Sequence, residues 1–235
     1  MDVRGDFIIV GSGIAGLRAA VELAPFGDIV IITKADPSES NTEYAQGGIA
    51  AAIGKGDSPA LHAQDTMIAG DGLCDERAVR VLCDEGPRYT RELIEWGARF
   101  NLGADGEPAL ASEGAHSVRR VLHAADATGR EIGRVVWDRM SAVARIRVLK
   151  NTLAVSAIVE DGRCVGVRFI DTDGEQGRAF ARATLLATGG AGRVFSETTN
   201  PEVATGDGVA IAFRAGARIA DEEHHPLRRP PARRR

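Results

Sequence analysis

Residues 6–33 read DFIIVGSGIAGLRAAVELAPFGDIVIIT, and this stretch decides the fold. A short apolar run at 6–10 enters a glycine turn, which is followed by a helical pattern that Gly27 closes as a C-cap. The next run, 28–33, has the composition of a second buried strand. Strand, glycine turn, helix and strand in this order predict a βαβ unit.

The glycine turn matches the pattern GxGxxG and stands where that pattern requires, after a strand and at the start of a helix. Its six residues are Gly11, Ser12, Gly13, Ile14, Ala15 and Gly16. The first glycine allows the tight turn, the second lets the backbone approach a pyrophosphate, and the third lets the helix pack close to the strand. The helix start then supplies free N–H donors and a positive dipole for phosphates. The alternative is a glycine-rich turn that binds no ligand.

The kind of dinucleotide stays open at this point. The usual signal for NAD is an acidic residue about 20 residues further on, which binds a ribose hydroxyl. Here the second strand ends at Thr33-Lys34, so that acidic residue is missing. A lysine can still donate to ribose or phosphate, and the motif alone does not decide between FAD, NAD and NADP.

The rest of the chain predicts an ordered loop with a short helix over 34–58, helices over 58–69, 74–96, 129–145 and 206–220, and a group of strands over 145–187. Asp161-Gly162 and Asp173-Gly174 have the chemistry of hairpin turns. We therefore expect an antiparallel β-meander, with RIRVLKNT at 145–152 among its strands, inserted before the main sheet resumes at 183–187.

Composition narrows the function classes. The net charge of −4 gives no general attraction to nucleic acid, and no apolar run is long enough to span a bilayer, so we expect neither nucleic acid nor membrane as a partner. Three cysteines without CxxC spacing argue against a disulfide framework and a metal site and favour the cytoplasm. Glycine is enriched, with 28 in the chain, which fits close backbone approach to a ligand.

Five further motifs, in order along the chain, carry a resemblance to a known family. They are SNTEYAQGGIAAA at 40–52, DTMIAGDGLCDE at 65–76, EGAHSVRRVLHAADATGREI at 113–132, LLATGGAGRVFSETTNP at 185–201 and GDGVAIAFRAGARIAD at 206–221. With the glycine turn, they resemble the succinate dehydrogenase, fumarate reductase and L-aspartate oxidase family of flavoproteins. The resemblance implies an α/β fold, a Rossmann-like FAD-binding domain with a parallel central sheet, and FAD as the cofactor.

Within that family, three details are similar to the L-aspartate oxidase branch: Lys34, the loop 41–48 and the motif that begins at 113. This branch implies oxidation of L-aspartate to iminoaspartate in NAD biosynthesis, with oxygen or fumarate as electron acceptor and a partner in the quinolinate pathway. Succinate dehydrogenases carry a histidine that bonds covalently to the flavin, and Asn41 stands at that position here. The flavin is therefore expected to be held non-covalently. Asn41 also departs from the serine common in aspartate oxidases.

The resemblance also assigns cofactor contacts beyond the glycine turn. Lys34 would contact the cofactor, and the loop 41–48 would line its isoalloxazine and pyrophosphate. Ala154 and Val155 would meet the adenine end through backbone groups, and Asp207 would lie near the ribityl chain. The backbone would pass close to the cofactor at Thr188, Gly189 and Gly190. The loop residues are Asn41, Thr42, Glu43, Tyr44, Ala45, Gln46, Gly47 and Gly48. Each of these could instead be a turn or core residue.

On the substrate side, Glu113 is the candidate catalytic residue. An acidic side chain can hold the ammonium group of an amino acid through a charge-assisted hydrogen bond. The alternative is a surface glutamate. Four basic residues lie close by in sequence: His116, Arg119, Arg120 and His123. We expect structural roles for them, and the alternative is that a histidine there donates to a substrate carboxylate.

The end of the chain departs from the family. We predict an FAD-binding domain over 1–221 and an irregular tail over 222–235, whose last twelve residues hold five arginines and three prolines. The tail is typical of a shifted reading frame or a truncated product, and otherwise of a basic segment that binds anions. The capping domain that completes the family's active site is expected to be absent, so we expect FAD binding with little or no oxidase activity. The alternatives are a fumarate reductase or succinate dehydrogenase flavoprotein and a non-catalytic FAD-binding remnant.

Overall fold

The computed structural model describes residues 1–37 and 39–219, and the predicted tail at 222–235 lies outside them. In the described part, six helices follow one another: α1 (Ile14–Leu23), α2 (Asn41–Tyr44), α3 (Pro59–Ala69), α4 (Glu76–Glu95), α5 (Thr128–Ser141) and α6 (Asp207–Arg214). The strands there are β1 (Asp2–Arg4), β2 (Phe7–Val10), β3 (Ile29–Ile32), β4 (Ile49–Ala50), β5 (Leu110–Ala111), β6 (Val121–Leu122), β7 (Ile146–Leu149), β8 (Leu153–Glu160), β9 (Arg163–Ile170), β10 (Gln176–Phe180) and β11 (Ala183–Leu186).

A parallel sheet with the strand order β11-β2-β3-β7 forms the middle layer. Its two central strands, β2 and β3, are buried along nearly their whole length, as expected for parallel strands that are covered on both faces. Ile9 and Ile31 pack with α1 and α5 on one face. Ile8 and Val30 pack against the antiparallel strands on the other. The α/β class with a Rossmann-like parallel sheet is confirmed.

The antiparallel meander is also confirmed, with β8, β9 and β10 as its strands. Asp161 and Gly162 both adopt positive φ, 49° and 75°, which is the backbone of a tight two-residue hairpin. The N-terminal strand β1 joins this sheet and runs parallel to β10. A third, small sheet has the order β4-β6-β5.

Two expectations about elements were wrong, whereas the short helix in the 34–58 loop was confirmed. The segment RIRVLKNT contains β7, which joins the parallel sheet beside β3 and not the meander, because it follows the crossover through α5. The short helix of the 34–58 loop is α2, whereas the apolar segment after it contributes strand β4. The last helix ends at Arg214 instead of running to 220, since Gly216 takes a φ of +87°.

Candidate functional site

A cavity of about 410 Å³ opens at the carboxyl edge of the parallel sheet, where β2, β3 and β11 end side by side. This is the edge at which open α/β sheets bind ligands, and the volume falls within the usual range for cofactor pockets. Of the predicted cofactor residues, those in its wall are Gly11, Ser12, Gly13, Ile14, Ala15, Lys34, Asn41, Thr42, Ala154, Thr188, Gly189 and Asp207.

The glycine turn has the geometry that its pattern predicts. Gly11 has a φ of +111°, and a Cβ atom there would lie 2.2 Å from the carbonyl oxygen of Ala187 at the end of β11. Gly16 is outside the cavity wall, and a Cβ on it would lie 2.1 Å from the oxygen of Gly11, so it is where α1 packs onto the turn. Gly13, by contrast, is flanked by open space next to the side chain of Thr42. The start of α1 is thus exposed to the cavity through backbone groups, which suits an anion.

The ends of β2 and β3 are joined by hydroxyl groups. Ser12 Oγ and Thr33 Oγ1 lie 2.7 Å apart, and Thr33 Oγ1 donates to the carbonyl of Ala35 at 3.2 Å. Ser12 and Thr33 are both buried. This bridge fixes the distance between the glycine turn and the residues that follow β3.

Lys34 and Asp207 form an ion pair on the rim of the cavity, so the end of β3 is tied to the start of α6. Lys34 also donates to Thr205 Oγ1, which in turn lies 2.8 Å from the other carboxylate oxygen of Asp207. Burial raises the pKa of the Asp207 carboxyl, but the hydrogen bonds from Lys34 and Thr205 outweigh it and hold the pKa below its usual value. These two predicted cofactor residues are therefore neighbours and can meet only one part of a bound dinucleotide.

The predicted loop 41–48 divides into two parts. Asn41 and Thr42 face the cavity, and the Ile14 N–H donates to Thr42 Oγ1 at 3.1 Å. The other six residues do not line it: Glu43, Tyr44, Ala45, Gln46, Gly47 and Gly48. Glu43 faces α5, the Tyr44 hydroxyl donates to Glu39, and a Cβ on Gly48 would lie 2.4 Å from the carbonyl oxygen of Leu122 on β6.

Two other predicted contacts lie off the cavity wall. Val155 stands at a bulge in β8, where the pairing with β9 shifts register, and it lines a different cleft from Ala154. Gly190 is exposed beyond Gly189.

Sequence reasoning missed thirteen residues of the cavity wall. They are Val10, Ile32, Thr33, Ala35, Glu39, Ser40, Thr152, Leu153, Leu186, Ala187, Val203, Ala204 and Ile211. Most are apolar or small residues, many of them at or next to strand ends. The only feature of the sequence that could have indicated them is their position at the end of a buried run. Thr205, which ties Lys34 to Asp207, could have been found because it stands two residues before an acidic helix start.

Glu113 lies on the exposed loop between β5 and β6, outside the cavity wall. Its role stays a prediction. The loop is anchored by Arg120, which is fully buried and donates to both Asp57 oxygens at 3.0 Å and to Asp65 at 2.8 Å. Asp65 also accepts from the backbone N–H and the hydroxyl of Ser117 at 2.9 and 2.8 Å, and these bonds with the Arg120 charge lower the pKa of its carboxyl.

The neighbours of Glu113 in sequence have the packing contacts expected of structural residues. The rings of His62 and His116 meet edge to face at 5.9 Å, and His123 approaches Gly48. Burial is the main cause that lowers the pKa of His62, and the nearby Arg120 charge adds to it. The described residues contain no cluster of three or more side chains able to hold a metal ion. In the same part of the chain, no helix has both the length and the apolar character of a membrane span.

The glycine turn, the helix start and the cavity at the sheet edge define the class: a dinucleotide-binding domain. The chain belongs to the family described as FAD binding domain, which matches residues 6–232. FAD is accordingly its cofactor, and the residues present fit it: the glycines leave room for a pyrophosphate and the start of α1 offers backbone donors.

Within this family, the chain is similar in sequence to L-aspartate oxidases. The chain is 50% identical over 223 residues to L-aspartate oxidase 2-a, chloroplastic, of Nicotiana tabacum, covering 93% of this chain and 35% of that protein. It is 46% identical over 228 residues to the L-aspartate oxidase of Streptomyces coelicolor, covering 94% and 39%. The chain thus spans little more than a third of the length of these relatives.

Solved structures agree on the fold. A quinol fumarate reductase of E. coli superposes with a TM-score of 0.88 at 32% identity, over 91% of this chain and 37% of that chain. The Sdh1 complex of Mycobacterium smegmatis in its apo form gives a TM-score of 0.87 at 33% identity, over 92% and 39%. The chain is therefore more similar in sequence to the two L-aspartate oxidases than to these two structural neighbours.

Proposed function

We propose that this chain is the FAD-binding part of an L-aspartate oxidase, an enzyme that oxidises L-aspartate to iminoaspartate for NAD biosynthesis. The observation that carries the proposal is the identity of 46–50% with L-aspartate oxidases over more than nine tenths of the chain. Because the chain spans little more than a third of those relatives, the activity is proposed for a protein of their full length. Oxygen or fumarate as acceptor and a partner in the quinolinate pathway stay predictions, as does the cytoplasmic location, since the tobacco relative is named chloroplastic.

Bound FAD would supply the two-electron acceptor for this oxidation. The chain's own part is to hold and orient it. The first turn of α1 would face the pyrophosphate, and Asn41 and Thr42 would bound the cavity on the side of α2. Oxidation also requires that the substrate ammonium be held in a fixed place, and the exposed Glu113 carboxylate could accept its hydrogen bond once the substrate side of the site is closed.

A fumarate reductase or succinate dehydrogenase flavoprotein is the second candidate, because the two solved structures quoted above superpose on nearly the whole chain. Asn41 favours the first proposal, since an amide cannot form the covalent flavin bond that the histidine of succinate dehydrogenases forms. A non-catalytic FAD-binding remnant would share the cavity and differ only in activity.

The experiment starts from the purified chain saturated with FAD. Acid precipitation should leave the flavin in the supernatant, and flavin in the pellet would contradict non-covalent binding. In a protein of the relatives' full length that carries this domain, L-aspartate added without oxygen should bleach the flavin absorption band and release iminoaspartate, whereas succinate should leave the band unchanged. The 235-residue chain alone should bind FAD and show little or no bleaching with either compound. In the full-length protein, bleaching by succinate and not by L-aspartate would contradict the proposed activity, and bleaching by neither would restrict the proposal to FAD binding.

A further inference from the structure

Helix α2, which forms part of the cavity wall, is too short to be stable without packing against the rest of the protein. It is four residues long, a single turn, and its start is capped by Ser40 Oγ, which accepts from the Glu43 N–H at 3.3 Å. One turn does not hold its shape in water without packing, because helix nucleation is unfavourable. The position of Asn41 and Thr42 in the cavity therefore depends on the surface beneath α2.

That surface is the first half of α5. The Gly129 N–H donates to the Ala45 carbonyl at 3.0 Å, and a Cβ atom on Gly129 would lie 1.9 Å from the carbonyl oxygen of Thr42. One turn further along the same face, a Cβ on Gly133 would lie 2.4 Å from Glu43 Oε1. The backbone of α2 thus rests directly on the backbone of α5, with no room for a methyl group at Gly129.

Glu43 shows how closely the two helices pack. Burial against this surface raises the pKa of its carboxyl, and the charge of Arg130 on α5 offsets part of the effect.

The two glycines, Gly129 and Gly133, differ in which atoms a new methyl group would meet. At Gly129 the obstacle is main-chain atoms, which cannot rotate away, whereas at Gly133 it is the end of a flexible side chain.

From α2 the contact continues to the cofactor site. Thr42 Oγ1 accepts the Ile14 N–H at 3.1 Å, at the first residue of α1, and both residues line the cavity. A hydroxyl that accepts from one donor keeps its own proton free to donate. Thr42 can therefore hold the start of α1 and offer a hydrogen bond to a phosphate oxygen at the same time.

We propose that Gly129 and Gly133 of α5 are positioning residues for FAD: they seat α2 so that Thr42 stays bonded to Ile14 at the edge of the cavity. Neither glycine lines the cavity, so their effect passes through α2. The inference does not depend on the substrate, and it holds equally for an L-aspartate oxidase and for a flavoprotein of another activity.

The test compares Gly129→Ala and Gly133→Ala with Gly86→Ala. Gly86 is also inside a helix, α4, but nothing lies within 4 Å of a Cβ placed on it. FAD affinity is measured by titration of flavin fluorescence, and folding by circular dichroism and urea unfolding. Gly129→Ala should weaken FAD binding about tenfold or more and Gly133→Ala about threefold, while Gly86→Ala should leave it unchanged.

A second substitution, Glu43→Ala, distinguishes an effect on the position of α2 from a general destabilisation of α5. In a background of Glu43→Ala, the carboxylate that opposes the new methyl group is gone, so Gly133→Ala should no longer weaken FAD binding. The cycle of single and double variants isolates this coupling. This cycle at Glu43 and Gly133 also tests the proposal if Gly129→Ala does not fold.

The proposal is overturned if folded Gly129→Ala and Gly133→Ala bind FAD as tightly as the parent. It is equally overturned if Gly133→Ala weakens binding by the same factor with and without the Glu43 side chain. The visible circular dichroism of the bound flavin gives an independent readout, since a shifted α2 should change its band in Gly133→Ala and leave it unchanged in Gly86→Ala.

Discussion

The turn at residues 11–16 and the loop between β5 and β6 are held in place by different means. The turn is fixed by main-chain contacts: Gly16 approaches the oxygen of Gly11, and Gly11 approaches that of Ala187, so closely that no side chain fits. The β5–β6 loop is fixed by buried charges, because Arg120 bonds to Asp57 and Asp65 from a distance of more than fifty residues along the chain. One region is held by close contacts between main-chain atoms and is nearly uncharged, and the other is assembled from distant ionic groups.

This difference shows how the two sides of the protein respond to change. The glycine turn tolerates few substitutions at its glycines, but it contributes little to the free energy of unfolding by itself. In a buried ionic cluster, a smaller side chain causes no steric clash. Removal of one partner, however, leaves the other charges buried without compensation. The cofactor side should therefore fail by losing its ligand, and the loop that carries Glu113 should fail by unfolding.

The largest effect is expected for Arg120→Met, which leaves two buried carboxylates without their cation. Loss of one member of such a group typically costs about 3–5 kcal/mol of unfolding free energy. Urea unfolding, followed by circular dichroism, measures it. The matched control is Arg178→Met, whose pair with Asp2 is exposed and screened by solvent, so its loss of stability should be much smaller. Equal losses in the two variants would contradict the contrast between the loop and the surface.

A smaller loss of stability but a specific loss of ligand is expected for Gly11→Ala. The residue has a φ of +111°, and the new methyl group would lie 2.2 Å from the Ala187 oxygen, so the ends of β2 and β11 must separate. Strain of this kind costs about 1–3 kcal/mol. FAD affinity should fall by more than tenfold, about 1.4 kcal/mol.

Gly106→Ala is the control for that change. Gly106 also has a positive φ, +81°, but nothing lies within 4 Å of its added methyl group. It should therefore lose about 1 kcal/mol of stability and no FAD affinity. If titration of flavin fluorescence shows the same loss of affinity in both variants, the glycine turn does not bind the cofactor in the way described.

The smallest effect is expected for Asp207→Asn, on the rim of the cavity. The folded pKa of Asp207 lies below that of an ordinary aspartate, so its ion pair stabilises the fold above the unfolded pKa, and this stability is lost as pH falls through the folded pKa. At pH 7 the variant should be less stable by about 0.5–1 kcal/mol, since both side chains are partly exposed. Urea unfolding at pH 7, 5 and 3 should show this difference shrinking at the lowest pH, and a constant difference would contradict the role of the charge.

The contrast also explains what the sequence could predict. The βαβ unit, the glycine turn and the hairpin at Asp161-Gly162 depend on residues adjacent in the chain, so composition and spacing are enough to find them. Lys34 and Asp207 were each assigned to the cofactor site by resemblance, but their ion pair joins residues 173 positions apart and has no local signal.

The sequence predicted the β5–β6 loop only as part of a motif. Nothing in the spacing of Asp57, Asp65 and Arg120 indicates that they share one buried site, because each could equally stand on a solvated surface. In loop 41–48, the polar and glycine-rich composition gave no way to tell the two cavity residues from the six that face α5, β6 or solvent. Packing between distant elements decides this, and it has no pattern in a single sequence.

The pairing of β2 with β11 has a consequence for how the protein is made. Phe7 lies opposite Ala183, so one edge of the first central strand has to wait for a partner that is synthesised far later. At about 5–20 residues per second, a ribosome needs about 10–35 seconds to supply it. During that time a buried-type strand has an open edge, which is the kind of edge that pairs with other chains. Chaperone binding to the nascent chain should therefore be strongest before residue 186 emerges and should decline once β11 has inserted beside β2.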